Sequence, residues 1–288
     1  MQTIQLNNGV KMPQLGFGVY QIPPEETSEA VYQAIKIGYR LIDTAAIYGN
    51  EKETGMGIKR ALDEGLVTRE ELFVTSKLFI LQAPEDKAAV TIEHSLKVMN
   101  LDYLDLYLIH QPYGDIYGAW RALVAAQKAG KVRAIGVSNF KAAKMIEFVG
   151  INDVKPQINQ IEVNPWNQRI ADQKWHDKYG VQIEAWAPFA EGRQDLFTNQ
   201  ILAEIGQQYG KTVGQVVLRW LMQRKIIALA KSTHPQRMAE NLDIFDFALS
   251  QSDMAKIATL DKKESAFFDH DDPQQVEWFM QRMVDTEK

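Results

Sequence analysis

The sequence predicts an α/β protein built as a (β/α)8 TIM barrel, with an N-terminal β-hairpin cap and a C-terminal tail closing over a pocket. Three observations predict it. Short, nearly continuous apolar runs alternate with longer segments whose apolar residues repeat at helical spacing, the pattern of a parallel sheet covered on both faces. Eight such strand–helix units follow one another over about 250 residues, the number a closed barrel requires. No linker or composition break separates them, so residues 1–288 read as one domain. A doubly wound open sheet is the rival arrangement.

Thr3–Leu6, Asn7-Asn8-Gly9 and Val10–Met12 read as a hairpin, since Asn-Gly is a strong turn signal. Leu15–Val19 is the first barrel strand, followed by a helix through Ala30, Val31, Ala34 and Ile35 that Gly38 stops. Leu41–Asp43 is the second strand. Asn50-Glu51-Lys52-Glu53 resembles a capping box ahead of the helix carrying Ile58, Ala61 and Leu62. Leu72–Lys77, Leu104–His110, Val132–Ser138, Gln157–Glu162, Gln182–Ala187 and Ile226–Ala230 are the remaining strands. Helices are expected from Pro84, around Trp120, over Ala142–Val149, near Asp172–Tyr179, over Leu196–Gln208 and Val213–Gln223, and from Pro235. The tail after Leu260 is acidic but carries Phe267, Phe268, Trp278 and Phe279, so it is expected to pack on something.

Composition narrows the function. The 288 residues are 45% hydrophobic and 24% charged, as in soluble globular proteins. With 0 cysteines, no disulfide framework, thiolate metal site or cysteine nucleophile is available. Lys+Arg 32 against Asp+Glu 37 leaves a net charge of −5, a poor basis for general nucleic-acid binding. No signal-like N-terminus and no apolar run of membrane length is present, so the expectation is a soluble cytoplasmic protein with no membrane partner.

Barrel enzymes carry their chemistry at the C-terminal ends of the strands. Those ends here present Asp43 with Tyr48 on the next loop, Lys77, His110, Ser138-Asn139, Asn159-Gln160, Trp186 and Lys231-Ser232. Alone, each has a plain structural explanation: a cap, a solvated charge, a packing residue, a rim histidine. Together, on adjacent strands of a closed barrel, they meet. A free phenol has a pKa of about 10 and is a slow acid near neutrality. An ammonium beside it favours the phenolate, and a carboxylate keeps that ammonium charged. Lys77 and Asp43 can fill these roles for Tyr48, with His110 orienting a carbonyl oxygen. The set suits protonation of an oxygen as a hydride reaches the adjoining carbon, and a hydride needs a cofactor.

These residues lie in segments that resemble the aldo-keto reductase family. Gly16-Phe17-Gly18-Val19-Tyr20, Gly38-Tyr39-Arg40-Leu41-Ile42-Asp43-Thr44-Ala45, Tyr48-Gly49-Asn50-Glu51, Thr75-Ser76-Lys77, the run Leu101–His110, Gly136-Val137-Ser138-Asn139-Phe140, Asn159-Gln160 and Lys231-Ser232 with Arg237, Glu240 and Asn241 carry the likeness. It spans about residues 3 to 262 and is closest in appearance to bacterial 2,5-diketo-D-gluconate and methylglyoxal reductases. The resemblance implies a catalytic tetrad of Asp43, Tyr48, Lys77 and His110, with Tyr48 as the acid. It implies an extended NADPH whose binding residues include Gly18, Val19, Tyr20, Asp43 and Thr233. Ser138, Asn139 and Gln160 then hold the carboxamide, Trp186 stacks on the ring, and Phe189 lies nearby. Lys231, Ser232 and Arg237 take the 2′-phosphate, and Glu240 and Asn241 the adenine. It implies a small carbonyl substrate against Tyr20, Tyr48, His110 and Gln111, and a monomer. Trp186 as plain core stays open from the residues alone.

The phosphate site has separate physical support. Thr233-His234-Pro235 reads as a helix start, where free amides favour anions, and Lys231 and Arg237 add cations there. The chain departs from the family pattern at Gln111, where Trp is usual, at Ala230 for Pro, and at Asn164 for His. Glu191-Gly192-Arg193-Gln194-Asp195 is a short version of the loop over the pyrophosphate. Tyr113, Trp166 and the aromatic tail are expected to shape the pocket. Two decoys fail on context: Gly16-Phe17-Gly18 lacks the third glycine of a dinucleotide fingerprint, and Gly210-Lys211-Thr212 lacks the earlier glycine and strand of a phosphate loop. His270-Asp271-Asp272 reads as solvated tail.

Overall fold

The computed structural model describes residues 2–286. In chain order the elements are β1 Thr3–Gln5, β2 Lys11–Pro13, β3 Leu15–Gly18, α1 Pro24–Ile37, β4 Leu41–Asp43, α2 Glu51–Asp63, β5 Phe73–Leu78, α3 Glu85–Met99, β6 Leu104–Ile109, α4 Ile116–Lys128, β7 Val132–Ser138, α5 Ala142–Ile151, β8 Ile158–Glu162, α6 Ile170–Tyr179, β9 Gln182–Trp186, α7 Gln200–Tyr209, α8 Val213–Gln223, β10 Ile227–Ala230, α9 Pro235–Leu242, α10 Gln251–Ala258 and α11 Pro273–Thr286.

Strands β3 to β10 are parallel and closed, in sequence order around the barrel. Closure is made by β10, which pairs with β9 on one side and places Leu229 opposite Gly16 of β3 on the other. That ladder excludes the open sheet. A Cβ on Gly16 would stand 2.5 Å from Leu41 Cγ, so only glycine lets the seam close over the interior leucines.

The hairpin plugs the N-terminal end. Gly9, at φ 87°, takes the left-handed position of its turn, and its N–H reaches Leu6 O at 2.9 Å. Asn7 Nδ2 donates to Pro156 O and Gly180 O, just ahead of β8 and β9. Leu6 and Met12 complete an interior cluster with Leu41, Phe73, Leu106, Leu108, Ala134, Ile158, Ile227 and Leu229. Asp105, also buried, is paired with Arg69 at 2.8 Å and Arg133 at 2.7 Å. The larger core lies between the strands and the helical ring. With the lower barrel filled, the space inside it opens toward the strands' C-terminal ends.

Two local expectations are corrected. Asn50 stands at the N-cap of α2 but does not cap it. Its side chain is fully buried, donating to Val19 O (3.1 Å) and Ile22 O (3.2 Å) and accepting from Thr44 Oγ1 (3.1 Å), because those loop groups have no water to turn to. The helix expected from Leu196 starts only at Gln200. Glu191, Gly192, Gln194 and Asp195 all have positive φ, and Asn199 Oδ1 caps α7 by accepting from Leu202 N. The Gly210-Lys211-Thr212 decoy is a link between helices: Gly210 ends α7, Thr212 caps α8, and Lys211 pairs with Asp243 and Asp246. No helix among the described residues is long and apolar enough to cross a membrane.

Candidate active site

Lys77 sits inside the barrel on β5, fully buried, with all three donors of its ammonium engaged. Nζ lies 2.5 Å from Asp43 Oδ1, 2.9 Å from Thr44 O and 3.4 Å from Tyr48 Oη. Asp43 ends β4, the neighbouring strand, and Tyr48 closes the short 3-10 turn that follows. His110 follows β6 and meets Tyr48 edge-on, ring centroids 5.6 Å apart. The four residues read from the strand ends therefore converge. Because Tyr48 oxygen accepts from Lys77, the phenol's own hydrogen is left to point elsewhere.

A cavity of about 690 Å³ opens above them. Of the residues read from the sequence, Gly18, Tyr20, Asp43, Tyr48, His110, Gln111, Ser138, Asn139, Gln160, Trp186, Phe189 and Lys231 line it. Lys77 lies beneath, out of contact with it. Val19 is fully buried, its N–H bonded to Asp43 O, and does not reach the cavity. Trp166 is 3% exposed and also stands back from it. Asn164, in place of the family's histidine, shapes the Asn164–Asn167 turn by accepting from two backbone N–H groups.

The amides at the cavity wall are fixed by specific partners. Asn139, at φ 65°, donates to His110 O (3.1 Å) and accepts from Trp186 Nε1 (2.8 Å), tying the β6, β7 and β9 ends together. Ser138 Oγ donates to Gln160 O at 2.8 Å. Gln160 Nε2 donates to Asp43 Oδ2 (3.0 Å) and Glu184 Oε2 (2.9 Å), which leaves its carbonyl oxygen as the free end of the amide.

Lys231 reaches across the rim to Gln21 Oε1 at 3.0 Å. Ser232 Oγ accepts from His234 N at the start of α9, and Thr233 is exposed beside it. Arg237 is exposed, with no ion-pair or hydrogen-bond partner among the described residues. Glu240 accepts from Thr212 Oγ1 (2.7 Å), and Asn241 is buried against the Tyr39 phenol. Ser232, Thr233, Arg237 and Glu240 form a surface continuing from Lys231, with Asn241 buried beneath it, and none of the five is part of the cavity wall.

Burial dominates the electrostatics. It pulls the Lys77 pKa down, but Asp43 and Tyr48 reverse that and leave it raised, so the ammonium stays charged. The same burial pushes Asp43 up against the pull of Lys77 and Gln160. Sequence reasoning has Lys77 drawing Tyr48 below the ordinary phenol value. Desolvation outweighs Lys77, and the Tyr48 pKa is pushed up to about 12. His110 is driven well below its usual value by burial and by Lys77, so it is a neutral imidazole, and its buried Nδ1 has no protein partner.

Three contributors escaped the sequence reading. Glu184 is buried below Trp186 on β9, its pKa pushed to about 8 by burial and by Asp43. Period-two alternation with Trp186 is the signal that would have found it. Phe79 packs edge-on to His110 at 5.8 Å. His270, expected to be solvated, is 6% exposed at the cavity wall, because Lys141 pairs with both Asp269 and Asp271 and the Tyr113 hydroxyl donates to His270 O. The tail aromatics bear out the packing expectation: Phe267 meets Trp186 at 5.1 Å, and Phe279 packs on Phe79 and Tyr113.

Comparison with known proteins agrees with this geometry. Residues 12–262 match the model of the Aldo/keto reductase family. The chain is 45% identical over 267 residues to a glyoxal reductase of Bacillus subtilis, covering 91% of this chain and 94% of that protein. It is 39% identical to the methylglyoxal reductase DkgA of Escherichia coli, covering 90% and 93%. A Bombyx mori aldo-keto reductase solved in complex with NADP superposes with a TM-score of 0.88 at 37% identity, covering 93% of this chain and 95% of that one. An aldo-keto reductase from a deep-sea metagenome library superposes with a TM-score of 0.90 at 36% identity, covering 93% and 98%. The matched segment holds the buried Lys77, its three partners and the strand-end residues of the cavity wall, and the chain belongs to the aldo/keto reductase family.

Proposed function

We propose that the protein reduces aldehydes, ketones or keto sugars to alcohols with NADPH, and that Tyr48 is the general acid. The observation that carries this is the Lys77 ammonium, committed to Asp43, Thr44 O and the Tyr48 oxygen directly beneath an open cavity. A nicotinamide fits the wall that is present. The Gln160 carbonyl oxygen faces no protein partner, the Trp186 indole is held edge-on by Asn139, and Arg237 offers an unpaired cation at the far end. When bound, the nicotinamide supplies the hydride.

The residues do the rest. Neutral His110 hydrogen-bonds the carbonyl oxygen and steers it toward Tyr48. As negative charge develops on that oxygen, Tyr48 gives up its proton, and Lys77 stabilises the phenolate left behind. A phenol held near pKa 12 is fully protonated at neutral pH, so the acid is always loaded, and the alkoxide it meets is the stronger base. Solvent returns the proton after each turnover. Phe267, Phe268 and Phe279 from the tail line the same cavity, and with a cofactor bound there they would help exclude water from the reacting atoms.

The relatives named for glyoxal and methylglyoxal make small dicarbonyls the first substrates to try. Gln111, 8% exposed at the wall, supports polar substrates over aryl ones. The test is NADPH consumption with methylglyoxal and an aryl aldehyde. Tyr48→Phe should lower kcat by about a thousandfold and leave NADPH affinity within about twofold. Reduction surviving that change, or no turnover across a broad carbonyl panel, would overturn the assignment.

A further inference from the structure

An amide side chain is nearly symmetrical in shape, so its oxygen and nitrogen ends are told apart only by their partners. Gln160 has two partners, and both are carboxylates: Asp43 from β4, across the barrel, and Glu184 from the adjacent strand β9. Gln160 and Glu184 stand directly opposite each other in the β8–β9 ladder, and Ile227 stands opposite Glu184 on its other side. Glu184 is fully buried, its Oε1 has no partner among the described residues, and the interior beneath it is apolar. A branched aliphatic residue at this position would fill the barrel without the desolvation that a carboxyl group brings. No ion pair among the described residues explains it, since the nearby cation, Lys77, is already committed to Asp43.

We propose that Glu184 is a positioning residue for the nicotinamide end of the cofactor: it takes one N–H of Gln160 while Asp43 takes the other, so the Gln160 carbonyl oxygen is the end presented to the cofactor carboxamide. This rests on the cavity being a nicotinamide site. Without Glu184, one buried N–H of Gln160 has no acceptor, and the side chain is free to turn that N–H toward the cavity, where it opposes rather than meets the carboxamide N–H.

The experiment measures binding of two ligands by quenching of tryptophan fluorescence: NADP+, and 2′-phospho-ADP-ribose, which keeps the adenine and phosphates but lacks the nicotinamide. E184L should weaken NADP+ by about tenfold and leave 2′-phospho-ADP-ribose unchanged. E184Q, whose amide oxygen still accepts from Gln160, should bind both as the wild type does, within about twofold. E184M replaces E184L if the latter melts at assay temperature. In a chain already carrying Q160L, removing the Glu184 acceptor should add no further loss. Wild-type NADP+ affinity in E184L and E184M, parallel loss of both ligands, or a large loss in E184Q would each overturn the role of Glu184 while leaving the cofactor assignment standing. A wild-type protein that binds neither ligand would overturn both.

Discussion

Lys77 shows how much one residue can settle. A buried ammonium without partners loses its proton, and with a single partner it still leaves two donors stranded. Here Asp43, Thr44 O and Tyr48 take one donor each. The cation is thereby held at the base of the cavity, where its pull on the resting Tyr48 phenol is outweighed by desolvation. Glu184 poses the opposite case, a carboxyl group with no cation of its own. The titratable groups facing it are Asp43 and Lys77, beside the Gln160 amide. Its folded pKa of about 8 lies above the unfolded value of about 4.3, so the folded state binds a proton that the unfolded state releases. That contribution to stability is complete below about pH 4 and is lost as pH rises through about 8. The Tm of E184Q minus that of the wild type should therefore grow by several degrees between pH 5 and pH 8.5. A gap that stays constant means Glu184 does not titrate in that window.

At the scale of elements, the site depends on strands placed side by side with little tolerance. β7 carries Ser138 and leads to Asn139, and β8 carries Gln160. Gly136 stands opposite Ile158 between them, and a Cβ there would come within 2.6 Å of Ile158 O, a backbone atom that cannot turn aside. Gly136→Ala should destabilise the protein by about 1–3 kcal/mol and weaken NADPH binding, measured by urea unfolding and fluorescence titration. Unchanged stability would mean the two strands can separate without harm. The tail is a second positioning element. The Glu162 carboxylate accepts from Ala266 N at 2.9 Å, Arg193 donates to Ala266 O at 2.8 Å, and Lys141 holds the Asp269–Asp271 segment, so the tail is pinned to the end of β8 and to the segments after β7 and β9.

At the scale of the whole molecule, the net charge of −5 opposes a multiply charged anion everywhere except where cations are concentrated. Lys231 at the cavity rim and Arg237 on the first turn of α9 make one such place, next to the amides of a helix start. Arg237→Ala should raise the Kd for NADPH by about tenfold and leave NADH nearly unaffected, because only NADPH carries the 2′-phosphate. Added salt should weaken NADPH more than NADH in the wild type, and the difference should shrink in the variant. Equal losses for both cofactors would move the phosphate elsewhere on the surface.

Much of this protein was legible before folding. The alternation of apolar strands and amphipathic helices determined a parallel sheet covered on both faces, and the count of eight units pointed to a barrel, but closure over the open-sheet rival was decided by the pairing of β10 with β3. The strand ends determined Asp43, Tyr48, Lys77 and His110, because a parallel barrel delivers all its C-terminal ends to one rim. What the sequence could not determine depends on distance between segments far apart in the chain. Whether Lys77 acidifies Tyr48 is decided by desolvation against one contact at 3.4 Å, and desolvation wins. That Glu184 belongs to the site, that His270 is buried, and that Asn50 turns inward to bond loop carbonyls rather than cap its helix were decided by the enclosure itself. Hydrophobic periodicity is a local property written into the chain, whereas burial of a polar group is a property of everything that surrounds it.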